Sequence, residues 1–183
     1  MTKLSNDVRG VVLGTLLMAA VSTFADAFWA AALPEHRTVY GLVHGALVLG
    51  ALGLALAWLV GARQRLLRWG VVSLLVGVFA AVVFYGLFPF LGVMAMLVAW
   101  MGLWLAFAFV ADAAAPVSES RGRVVARGVL AAVLSGIGFW AISGIWLGPH
   151  DPGVLFWRNF VAWCIAFAPG FIALLGSRQL AAD

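Results

Sequence analysis

Six runs of about twenty or more mostly apolar residues divide the chain, at about 10–33, 39–62, 69–88, 91–111, 124–147 and 153–176. A hydrocarbon core about 30 Å thick is crossed by roughly 20 residues of helix, so each run is long enough to span a membrane. Inside lipid every backbone N–H and C=O must be satisfied internally, which leaves helices and closed barrels as the spanning structures. A barrel strand would alternate apolar and polar residues over about ten positions. These runs are continuously apolar, rich in Ala, Leu, Val and Gly. The chain therefore reads as all-α: a polytopic transmembrane helical bundle of about six membrane-spanning helices, forming a single domain over residues 1–183.

Composition agrees, since 65% of the residues are hydrophobic and 10% charged, with a mean hydropathy of +1.10. A soluble domain is about half apolar and a quarter charged, so much of this surface has to face lipid. The net charge of +4 does not point to nucleic acid. The basic residues are scattered over short inter-helix segments and form no stripe interleaved with aromatics. The single cysteine, Cys164, excludes an intrachain disulfide and reads as a small core residue. Lys3 and Arg9 before an apolar run, with Ala25-Asp26-Ala27 beyond it, have the look of a secretory leader. The apolar stretch continues past that point to Leu33, and we read it as a membrane span.

Orientation follows from the basic residues. Lys3, Arg9, Arg63, Arg65, Arg68, Arg121, Arg123, Arg127 and Arg178 fall on one side of a six-span chain, against Arg37 and Arg158 on the other. The excess of Lys and Arg in cytoplasmic segments predicts both termini in the cytoplasm, with the bundle in a bacterial inner (plasma) membrane. Pro34, Pro89, Pro116 and the Pro149/Pro152 pair are placed between spans, where helices tend to stop. Phe88-Pro89-Phe90-Leu91-Gly92 reads as a tight hairpin between the third and fourth spans. The longest connection, about Asp112 to Arg123, leaves no room for a soluble domain.

Ionisable groups inside lipid are costly and mark functional positions. Asp26 lies about eight residues inside the outer end of the first span, roughly 12 Å deep, and His44 about six residues into the second, roughly 9 Å deep. Arg158 lies at a similar depth in the sixth. Consecutive spans run antiparallel, so Asp26 and His44 can meet at one level. Thr15, Ser22, Asp26 and Trp29 share one face of the first helix, and Tyr40, Gly41, His44 and Gly45 one face of the second. Gly41 and Gly45 form a small-xxx-small notch beside His44. Two readings of Asp26, His44 and Arg158 stand side by side. One is a structural polar clasp between helices; the other is a site for a solute, an ion or a proton, with Tyr40 and Trp29 beside it.

The outer connections add Glu35, His36, Arg37, His150 and Asp151, so every histidine falls on the outer half. His36, His44 and His150 with Glu35 and Asp151 are candidate ligands for zinc or copper, whose coordination imidazole and carboxylate suit. No HxxxH or HExxH spacing supports the set, and solvated loop residues are the plain alternative. The sequence requires no cofactor. Of nine tryptophans, Trp29, Trp69 and Trp146 fit an interfacial belt. Trp58, Trp100, Trp104 and Trp163 lie deeper, where packing is the ordinary role and the wall of an apolar pocket the other. Gly136, Gly138 and Gly144 read as packing glycines, and Pro169-Gly170 as a simple kink, whose freed carbonyls can bind ions or satisfy neighbours.

In size and span count the chain resembles the substrate-binding membrane subunits of energy-coupling-factor vitamin transporters. That resemblance covers architecture alone. It favours a small carrier or solute-binding subunit with a site on the outward half. A non-catalytic subunit or assembly factor of a larger membrane complex is the second expectation, with other membrane subunits or a second copy as partners besides the lipid bilayer. An embedded enzyme acting on a lipid or quinone, with His44 or His150 as acid or base, is the third.

Overall fold

The computed structural model describes residues 3–32, 37–92, 94–115, 118–147 and 152–175. It is all-helical: α1 (Lys3–Ala32), α2 (Arg37–Leu59), α3 (Leu66–Leu91), α4 (Met94–Ala114), α5 (Arg121–Leu147) and α6 (Pro152–Leu175), with a 3-10 turn at Arg63–Arg65. All six helices are long and apolar enough to cross a membrane. Each packs on its neighbour in sequence, and α6 returns to α1, so the bundle closes as a six-helix ring. Contacts pair Asp26 with His44, Gly45 with Gly77, Gly136 with Met101, and Ser135 with Ala166. These registers run neighbouring helices antiparallel. The start of α1, the end of α2 and the start of α3 therefore share one end of the ring with the end of α4, the start of α5 and the end of α6. Arg9, Arg63, Arg65, Arg68, Arg121, Arg123 and Arg127 all belong to that basic end.

Local chemistry explains the ends. At Gly61 the chain takes a φ of +85°, which glycine adopts without a Cβ clash. The Gly61 and Ala62 N–H groups then close onto the carbonyls of Trp58 and Ala57, at 3.1 and 2.8 Å, a Schellman cap. Pro152 opens α6, where its missing N–H costs nothing. Pro89 departs from expectation, because it lies inside α3 and not between spans. In the last turn it removes one donor only, and the reversal comes three residues later at Gly92, with a φ of +53°. The tight hairpin is present, with Gly92 as its pivot. Pro34, Pro116, Pro149 and Arg178 lie outside the described residues.

With lipid on the outside, helix association rests on close packing and small residues. A Cβ on Gly77 would stand 2.6 Å from the Gly45 carbonyl oxygen and 2.9 Å from the Leu49 Cβ. Here α2 and α3 meet backbone to backbone. Gly53 admits the Ser73 side chain, and Gly41 admits the Tyr85 hydroxyl. The notch beside His44 is therefore filled by α3. On the far side, Gly138 lets the Ile165 carbonyl approach to 2.8 Å of where a Cβ would be. Pro169 has no N–H to offer that carbonyl. One residue on, the Ala166 carbonyl accepts a hydrogen bond from the Ser135 hydroxyl.

The middle of the ring and its basic half are tightly filled. Met18, Leu52, Leu56, Trp104, Phe107, Phe167, Phe171 and Leu174 are all fully buried. Arg127, expected with the other basic residues between spans, is instead a buried member of α5. Its guanidinium donates to the Leu174 carbonyl (3.1 Å) and lies 3.0 Å from a Glu119 carboxylate oxygen. Asp112, at the end of α4, accepts the Glu119 backbone N–H at 2.9 Å. A carboxylate and an end-of-helix carbonyl thus compensate a charge that would otherwise be costly to bury.

Candidate functional site

Among the described residues, Asp26 is the centre of a polar cluster that ties three helices together in the half opposite the basic end. From α1 its Oδ2 accepts the Trp163 indole N–H of α6 at 2.8 Å. Its Oδ1 lies 3.6 Å from His44 Nε2 of α2. Asp26 and His44 meet at one level, as the antiparallel first hairpin requires.

Trp163 is the member that sequence reasoning treated as packing. A readable signal was present, since a buried indole N–H needs an acceptor, and Asp26 is an acid inside a span at the matching height. The ring is held by its neighbours. Trp163 packs against Phe167, Trp100 and Phe139 with centroids 5.5, 5.8 and 6.3 Å away, and Trp100 stacks on Phe139 at 4.8 Å and 19°. The Trp100 N–H donates to Ser135 Oγ at 2.9 Å, and Ser135 donates onward to Ala166. The aromatic block is anchored at both edges, so the Trp163 N–H is aimed at Asp26 without further ordering.

Burial changes along the helices. On α2, Val48, Leu49, Leu52 and Leu56 are buried, whereas residues 41–46 are each partly exposed. The His44 and Asp26 side chains retain 16% and 17% exposure, while Ser22, one turn deeper on the face of Asp26, has none. The bundle is sealed below the pair and looser at its level. Asn159 lies on α6 one turn from Trp163, towards the same end, and its Oδ1 is buried with no hydrogen-bond partner among the described residues.

The remaining candidates are distributed as follows. Arg158 is exposed on α6, five residues before Trp163. Trp29 and Tyr40 lie in α1 and α2, with their side chains outside the described residues. Glu35, His36, His150 and Asp151 also lie outside them. Among the described residues no three of His, Cys, Asp and Glu converge as metal ligands.

Six apolar helices closed into a ring, with a partly accessible carboxylate–imidazole–indole cluster at one end, are consistent with an integral membrane protein. No protein-family model, curated protein or solved structure matches the chain.

Proposed function

We propose that the chain is a small carrier, or the solute- or ion-binding subunit of one, with its site in the half of the bundle opposite the basic end. The observation that carries this reading is the Asp26 cluster. A carboxylate contacted from two other helices, yet left 17% exposed, is costly as mere glue and well placed to exchange a ligand. Helix-joining sites of this kind respond to their ligand by changing how the helices pack. The basic end is the cytoplasmic one on this reading, with both termini inside and the site facing out of a bacterial inner membrane. Arg158, Tyr40 and Trp29, on the same three helices, are proposed as further contributors.

Accessibility tests it. In a Cys164→Ala background, His44→Cys in intact cells should react with a membrane-impermeant maleimide, and Ser22→Cys should not. An unreactive His44→Cys in folded protein would overturn the proposal. A carboxyl-terminal fluorescent-protein fusion should glow and the matching alkaline phosphatase fusion should stay inactive; the opposite pattern reverses the orientation.

One observation favours a second reading, a subunit of a larger complex. Among the described residues α3 buries only Trp69, Ser73 and Gly77, and Leu67, Val71, Leu75, Phe79, Val82 and Phe90 form an exposed apolar face. Disulfide cross-linking of Leu75→Cys to a second protein in native membranes would support it.

A further inference from the structure

The cluster around Asp26 has one charged acceptor, the carboxylate itself. The indole donor of Trp163 is already given to the Asp26 carboxylate. One turn towards the end of α6 opposite the basic end, on the same face, Asn159 holds an amide oxygen that is buried and receives no hydrogen bond among the described residues. A buried acceptor of this kind calls for a donor. An anion would meet a carboxylate and an amide oxygen and be repelled. An apolar ligand would leave the amide oxygen unanswered. The ligand that answers both is positively charged and carries N–H groups.

We infer that the site takes a small organic cation with N–H donors, of the alkylammonium or guanidinium class, bound by Asp26 and Asn159. This inference rests on the carrier reading above and names its substrate class. The Asp26 carboxylate accounts for the charge, and the Asn159 oxygen selects for N–H over a fully alkylated nitrogen. His44 supplies a competitor. An imidazolium 3.6 Å from the carboxylate and a bound organic cation are two positive charges claiming one negative group, so each weakens the other. Among the described residues of the helices packed on α2, α1 contributes Asp26, α3 contributes Tyr85, and α4 has no titratable group in this half. Arg158 and Cys164 lie on α6. Entry of the organic cation is thereby linked to departure of the His44 proton, which gives a carrier built this way an exchange of cation for proton.

Thermal unfolding of the purified full chain in detergent tests this, with methylammonium, guanidinium, tetramethylammonium, sodium and acetate salts at matched ionic strength in the low millimolar range. Methylammonium and guanidinium should raise the melting temperature saturably, and tetramethylammonium, sodium and acetate should not. Asp26→Asn keeps an acceptor for Trp163 and should abolish the effect. Asn159→Leu should raise the half-saturating concentration about tenfold, one good hydrogen bond to a charged group, and Asn159→Asp should lower it. In the intact chain apparent affinity should fall once pH is low enough to charge His44. His44→Gln should bind at every pH alike. Stabilisation by acetate, equal stabilisation of Asp26→Asn, or no response to either N–H cation would each overturn the ligand class. If His44→Cys nevertheless reacts from outside, the outward site stands and only its ligand is wrong. If it does not react, the carrier reading fails first.

Discussion

Replacing Trp163 by Phe removes one hydrogen bond and the packing of the lost indole atoms, while the phenyl ring can keep its place among Trp100, Phe139 and Phe167. The bond is 2.8 Å long and its acceptor is a carboxylate. Bonds to charged groups contribute about 1.5–3 kcal/mol in water-soluble proteins. Between membrane helices, measured couplings average about 0.6 and reach about 1.7 kcal/mol, because the unfolded state in lipid also finds partners. A charged acceptor places Trp163–Asp26 at the upper end, about 1–2 kcal/mol. The indole atoms lost from a residue only 8% exposed add about 1 kcal/mol of packing. Trp163→Phe should therefore destabilise the fold by about 2–3 kcal/mol. In an Asp26→Leu background the same change should cost about 1 kcal/mol, since only packing remains. Reversible unfolding in mixed micelles, followed by circular dichroism, measures all four corners of this cycle. A coupling energy below about 0.3–0.5 kcal/mol, the range within which independent sites add, would refute the reasoning. The indole would then not be bonded to Asp26, and the α1–α2–α6 cluster would lose its centre.

Three other outcomes follow from the packing. Ser135→Ala strips the Trp100 N–H of its acceptor and the Ala166 carbonyl of its donor, and should cost about 1–3 kcal/mol in the same unfolding assay. Gly77→Ala sets a methyl 2.6 Å from the Gly45 carbonyl and should destabilise by about 1–3 kcal/mol, whereas Gly86→Ala, with open space around it, should be neutral or slightly stabilising in melting temperature. Arg127→Met should be milder than Arg127→Ala, because both lose the ion pair with Glu119 but Met refills the volume while Ala also leaves a hole; the two melting temperatures decide it.

The six spans, the gathering of most basic residues at one end and the Asp26–His44 encounter were all legible in the sequence, because each follows from one-dimensional facts. Span length is set by bilayer thickness, and the level at which two residues of a helical hairpin meet is set by their distances from the turn. The glycines at 45 and 138 could be read as contact points, but not what they contact. Pro89 misled because a proline near a helix end is compatible with both sides of the boundary, and the φ that reverses the chain belongs to Gly92. Arg127 looked like one more loop charge because its partners, Leu174 and Glu119, are 47 and 8 residues away.

Trp163 shows most clearly what sequence alone leaves open. Its indole is 137 positions from Asp26, and nothing local distinguishes it from the other deep tryptophans. Only the closure of the ring, with α6 laid back along α1, puts that N–H against that carboxylate. The sequence by itself determined that the chain is a bundle of membrane-length helices with an intramembrane acid and histidine towards the end away from most of the arginines. The tertiary structure decided which helices share them, because apolar runs of similar length and composition carry no record of which neighbour each will face. That choice is made by interlocking small residues and by single polar bonds between helices.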